Sequence, residues 1–230
     1  MSLIPFPCER ELTIAMCQLI ARIRSAVLIA GGLLACSQIA RAQVTYVGEA
    51  VAARANVLGI VNVAVSDTGQ LPSTGGELAV SLLNFRAAPT LDLHLLTANT
   101  VGGNDQTSSQ AAVANVTLNV AGIYVTASVL NSNANAVCYP DHAEVSGGST
   151  VVALKVNGLS VKVTGKPNQT IPLLVGSLVI NEQIGQVTSP PQIITADMVV
   201  NALHLKVDLL ADVVISNSRA GVICDVPQPQ

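Results

Sequence analysis

Residues 149–183 read STVVALKVNGLSVKVTGKPNQTIPLLVGSLVINEQ, and near their middle Asn157-Gly158 sits between two runs that alternate apolar and polar residues. That dipeptide supplies the positive φ values that a two-residue type I′ turn requires, so the stretch predicts a β-hairpin. Closing the hairpin there sets Val156 opposite Leu159, Leu154 opposite Val161 and Val152 opposite Val163 on an apolar face. The other face pairs Lys155 with Ser160, Ala153 with Lys162 and Val151 with Thr164. One face therefore covers a core and the other meets water. Gly165-Lys166-Pro167-Asn168 is expected to end the pairing, and Leu178-Val179-Ile180 to continue the same sheet.

Composition extends this reading to the whole chain. Half of the 230 residues are hydrophobic, yet only 2% are aromatic and none is Trp, so the core must be built from Val, Leu, Ile and Ala. Such side chains suit closely packed sheets better than a ring-lined cleft. Charged residues make up 11% and the net charge is −3, which leaves no basic footprint for nucleic acid. A weakly charged surface of Ser, Thr, Asn and Gln favours self-association or attachment to other surfaces.

The segment VNGLSVKVTGKPNQTIPLLVGSLVINEQ resembles the signature of the choice-of-anchor P family, bacterial exported or surface proteins that share a β-rich domain. The resemblance runs from about Val57-Leu58-Gly59-Ile60-Val61-Asn62 to Ala220-Gly221-Val222-Ile223-Cys224. It implies a location outside the cytoplasm and a β fold and brings no catalytic residues; further copies of the chain or cell-envelope components are the expected partners. The chain departs from the family by ending in Pro227-Gln228-Pro229-Gln230 without a hydrophobic anchor.

Residues 1–42 read as a helical signal peptide. Arg22 and Arg24 precede the apolar run Ala26 to Leu34, and Ala40-Arg41-Ala42 presents small residues for cleavage before Gln43. Glu9 and Glu11 do not suit a basic leader start, whereas a start at Met16 instead of Met1 does. The run is shorter than the about 20 residues of a membrane span, so no transmembrane segment is expected in the mature chain. Leu33-Leu34-Ala35-Cys36 also resembles a lipobox, which would make Cys36 a lipidation site.

Thr45 to Ala53, Leu58 to Ser66, Glu77 to Phe85 and Thr90 to Leu96 have strand composition, and Asn99 to Ser109 reads as a polar loop. Leu71-Pro72-Ser73-Thr74-Gly75 spells a sorting signal, but its position inside the domain favours a plain loop. Further on, Asn131 to Cys138 and Asn217 to Cys224 both fit NSxAxxxC, and Asn115 and Asn201 stand at equal distances from their cysteines. Two related strand pairs, each ending in Cys, explain this repeat. With Cys8, Cys17 and Cys36 in the leader, Cys138 and Cys224 remain as an even pair in an exported chain, which predicts one disulfide.

Catalytic constellations are scarce. His94 and His204 fall in strand patterns and read as ordinary sheet positions, and Glu182, with Asn181 and Gln183, reads as satisfying backbone groups at a strand end. Asp141-His142-Ala143-Glu144 groups two carboxylates with an imidazole just after Cys138, so a loop-built hydrolytic or ligand-binding site around Asp141, His142 and Glu144 is the alternative reading. No GxSxG or HExxH motif occurs. The expectation is therefore a two-sheet antiparallel β-sandwich over residues 43–224 with a loose tail at 225–230. It is non-enzymatic, needs no cofactor or metal, and acts at the cell surface or outside the cell as a structural or adhesive module.

Overall fold

The computed structural model describes residues 43–188 and 193–225, and all of its regular structure is strand. The leader expected over residues 1–42, with Met16 and Cys36, and the tail residues 226–230 lie outside the described residues. Asp225, expected in the tail, is the last residue of a strand. In chain order the strands are β1 (Val44–Val57), β2 (Val61–Asp67), β3 (Gly76–Ala87), β4 (Leu91–Gly103), β5 (Gln106–Val120), β6 (Ile123–Cys138) and β7 (Ala143–Val152). They continue with β8 (Lys155–Val156), β9 (Leu159–Ser160), β10 (Gln169–Pro172), β11 (Ser177–Thr188), β12 (Ile193–Val207) and β13 (Ala211–Asp225). Two antiparallel sheets result. The first runs β10-β11-β12-β13-β1-β2, and the second runs β3-β4-β5-β6-β8-β9 with β7 also paired to β6.

The Asn157-Gly158 turn forms as expected, with φ of 51° and 81°, and sets Lys155 against Ser160 and Val156 against Leu159. The expected pairing of Leu154 with Val161 survives as a single bond, Val161 N–H to the Leu154 carbonyl at 2.9 Å, and the ladder ends there. Ala153 adopts a left-handed φ of 54°, and the residues before it pair with β6 instead, Val151 with Leu130 and Val152 with Val129. Val151 packs against the core while Val152 is exposed, the reverse of the expected faces, and Leu159 is exposed beyond the turn. Leu178 and Ile180 are buried, but β11 belongs to the first sheet, so the chain crosses between sheets after β9.

Ala153 is one case of a rule that governs both sheets. In the first sheet, left-handed Ser66, Ser216 and Asn181 (φ 48°, 59° and 54°) alternate with Ala52 and Ala202 along one line across β2, β1, β13, β12 and β11. In the second, Leu95, Asn115 and Ala153 mark the corresponding line. A left-handed residue in a strand reverses which side the following residues face, because it breaks the two-residue alternation. Thus β13 buries Val213 and Ile215 before Ser216, and Ser218, Ala220, Val222 and Cys224 after it. β6 shifts phase at the same level without a left-handed residue of its own, burying Ile123, Val125 and Ala127, then Leu130, Ser132, Ala134 and Ala136.

The kink divides the interior into two unlike halves. At one end a large cluster holds Leu91, Leu93, Leu118, Leu154, Ile180, Leu203, Leu205 and Ile215. The hairpin turns closing β1–β2, β3–β4, β5–β6, β8–β9, β10–β11 and β12–β13 all flank it. At the other end the cluster is small and mostly Ala and Val, with Ala134, Ala136, Ala196, Ala220 and Val222. There Cys138 and Cys224 are joined by a disulfide, Cα to Cα 6.1 Å.

Between the two halves lies a waist closed by hydroxyls rather than hydrocarbon. Ser132 and Ser218 bond through their Oγ atoms at 2.7 Å, joining β6 to β13 across the sandwich. Thr107 and Ser109 of β5 donate to the carbonyls of Gly221 and Arg219 at 2.8 and 2.6 Å, and Ser216 donates to Ala111 at 2.8 Å. A serine side chain spans a small part of the roughly 10 Å that usually separates stacked sheets, so the backbones approach closely here. Gly48 is required at this waist, because a Cβ would overlap Thr100 Oγ1 and lie 3.1 Å from Thr107 Cγ2.

The same hydroxyls account for a misread segment. The expected polar loop at Asn99 to Ser109 is strand except at Asn104-Asp105, whose φ values of 51° and 61° make a tight turn. Thr100, Thr107 and Ser109 are fully buried, so the inward face is polar by composition but not by exposure. The NSxAxxxC repeat is structural, since β6 and β13 face each other through Ser132 and Ser218 and through the disulfide. Asn115 and Asn201 are not equivalent. Asn115 is left-handed in β5, whereas Asn201 pairs with Asn217.

Candidate functional site

The densest group of ionisable side chains is one that sequence reasoning did not assemble. Glu182 of β11, expected at a strand end, sits within that strand and points at His204 of the neighbouring β12. Register explains the meeting. Glu182 lies opposite Asn201, Val179 lies opposite His204, and the left-handed Asn181 between them swings Glu182 toward the histidine. His204 Nδ1 donates to Glu182 Oε2 at 2.5 Å and Nε2 donates to Asp212 Oδ1 of β13 at 3.0 Å. Asn201 Nδ2 donates to the same Glu182 oxygen at 2.6 Å, Asn217 Nδ2 donates to Asn201 Oδ1 at 2.6 Å, and Lys206 Nζ stands 3.8 Å from Glu182 Oε1. The His204 and Glu182 side chains are 10% and 14% exposed.

The hydrogen bond from His204 is the main cause that holds Glu182 well below the ordinary carboxyl range, at about 2. Burial pushes the His204 imidazole down, but Glu182 and then Asp212 outweigh it and leave it raised. Both ring nitrogens are used by carboxylates, so the imidazole has no free nitrogen to act as a base. The group is a charge-compensated clamp across β11, β12 and β13. A shallow depression of about 370 Å³ lies beside it, lined by Asn56, Leu58, Lys206 and Asp212 among others.

This clamp has a pH signature. His204, raised above 6.5, contributes stability in full below that value and loses it as pH rises through the folded value. Glu182, lowered from 4.5 to about 2, contributes above 4.5 and loses its share as pH falls toward 2. Replacing His204 with Gln is therefore expected to destabilise the domain most between about pH 4.5 and 6.5, by about 2 kcal/mol. Urea unfolding of both proteins from pH 3 to 9 checks it, and a difference that does not vary with pH sinks the reading.

Asp141 and His142 on the turn between β6 and β7 and Glu144 at the start of β7 do come together. His142 Nδ1 donates to Asp141 Oδ1 at 2.7 Å, Nε2 lies 3.5 Å from Glu144 Oε1, and Tyr139 stacks on the ring at 4.6 Å. Their side chains are half or more exposed, and the hydrogen bond between them raises His142 and lowers Asp141. The trio is solvated and lies beside the disulfide. Among the described residues no group of three His, Cys, Asp or Glu side chains is placed to hold a metal ion. His94 lies on the outer face of β4, bonded to Asn84 Oδ1 at 2.6 Å and 3.3 Å from Asp92.

No family model matches the chain, and neither a curated protein nor a solved structure matches it. Glu182, His204 and Asp212 lie on three adjacent strands, and nothing in the sequence around them indicates that they converge.

Proposed function

We propose that the chain is a non-enzymatic module, exported and cleaved before Gln43 or acylated at Cys36, that works at the cell surface or outside the cell by assembly or adhesion. The observation that carries the reading is β3. It is an edge strand of twelve residues whose outer side pairs with nothing among the described residues. Between Glu77 and Arg86 it has neither charge nor proline, and Val80, Leu82 and Leu83 are exposed. Natural edges are blunted against pairing, and the others here are. β2 ends in Asp67, β10 has four residues and ends in Pro172, β9 has two residues, and β7 carries Glu144 and two glycines. A long, neutral, apolar edge is a template for strand addition.

Its end charges suit a second copy. Glu77 and Arg86 lie opposite Val101 and Asp92, both on the outer face, so the neutral edge is bounded by opposite charges at its two ends, as an antiparallel second copy would require. Concentration-dependent dimerisation is expected in light scattering, and Leu82→Lys is expected to weaken it at least tenfold while leaving the fold intact. A chain that stays monomeric up to high concentration, or a Leu82→Lys protein that dimerises equally well, removes the main support. The family resemblance and the leader support the location.

A further inference from the structure

Three hairpin turns of the first sheet, at the end away from the disulfide, carry side chains that the fold does not use. They are neighbours in the sheet: β10–β11 offers Leu174 and Val175, β12–β13 offers Leu209 and Leu210, and β1–β2 offers Leu58 and Ile60. Leu174 is fully exposed, and Leu209, Leu58 and Ile60 are 98%, 70% and 66% exposed. The row is held together, because Leu58 N–H donates to the Leu210 carbonyl at 2.9 Å and Gly176 lies against the backbone of Lys206 and Val207. A single exposed aliphatic is ordinary, whereas three adjacent tips capped this way are not.

Leu209 supplies a second, independent observation. Its φ is 58°, a region that favours glycine or asparagine and strains a leucine. In that position the side chain gains no burial and the backbone loses energy. Nothing inside the fold selects it.

We propose that this row of tips inserts into the surface of a zwitterionic lipid layer. Six side chains fall far short of the roughly 20–30 residues per side that a stable protein interface uses. They project as separate points, which a fluid surface accepts without a matching groove. The tips carry one charge, Asp208, while Lys206 is set back on β12 and engaged with Glu182, so no cationic patch draws them to anionic headgroups.

The chain has no Trp, so Leu209→Trp introduces a single fluorophore that reports its own surroundings. Phosphatidylcholine vesicles are expected to shift its emission to shorter wavelength. A Ser73→Trp protein, with the fluorophore on the loop before β3 at the opposite end, is expected to show no shift. Vesicle affinity of the full chain is expected to fall about tenfold for each leucine removed in Leu174→Ser and Leu209→Ser. Leu209→Asn serves as the folding control, since asparagine suits the left-handed turn: it should match or exceed the parent Tm and still lose about tenfold in binding. Unshifted Leu209→Trp emission, binding that requires phosphatidylserine, or a shift produced by raising protein concentration without vesicles overturns the proposal, the last pointing to a second copy as occupant.

Discussion

Removing the disulfide with Cys138→Ala and Cys224→Ala together is expected to lower the unfolding free energy by about 4.5 kcal/mol, the entropy of leaving an 86-residue loop open in the unfolded chain. For a domain of this size that corresponds to a fall in Tm of roughly 10–15 °C. No single polar contact at the waist compares, since a hydrogen bond such as Ser132 to Ser218 contributes about 1 kcal/mol. The small Ala and Val cluster around the cysteines buries little surface per residue, so the covalent link matters most where hydrophobic stabilisation is weakest. Calorimetry of the parent with and without reductant, alongside the double variant, measures it. A Tm that shifts by less than about 3 °C in both would mean that the link stabilises nothing.

Gly48→Val is expected to cost at least about 3 kcal/mol. A new Cβ meets Thr100 Oγ1 and Thr107 Cγ2 inside the closest part of the sandwich, and neither atom can retreat without breaking a buried hydrogen bond. Gly103→Ala is the matched control. Nothing lies within 4 Å of its Cβ position and its φ is not in the left-handed region, so the change should stay within about 0.5 kcal/mol. Chemical denaturation of the two variants separates crowding at the waist from the general effect of adding a side chain to a glycine. Equal midpoints would show that the sheets are free to move apart at Gly48.

What the sequence made legible was local. Asn157-Gly158 fixes its turn because the needed φ values are nearly exclusive to such residues, the NSxAxxxC repeat marked two strands that end in cysteine, and the even cysteine pair indicated their disulfide. What it concealed follows from the kink. Val151 and Val152 looked like members of one alternating run, but Ala153 reverses the phase between them and Leu154, and alanine carries no mark of a left-handed conformation. Buried Thr100, Thr107 and Ser109 resembled loop residues for a related reason. Their partners are carbonyls and hydroxyls across the sandwich or on the next strand, which only the three-dimensional pairing brings near. Glu182 and His204 are 22 positions apart, and their meeting depends on the register of β11 against β12.

The covalent link between β6 and β13 also decides how the domain carries load. Val44 and Cys224 stand opposite each other on adjacent strands, so tension between the two ends peels β1 from β13 one pair at a time. As the chain pays out, extension halts at Cys138, because the force then passes through sulfur to Cys224. Everything between the two cysteines, including β7 to β12 and the Glu182–His204 clamp, stays out of the force path. A tethered copy would yield a limited, fixed length under pulling and keep the rest of its sandwich unstretched.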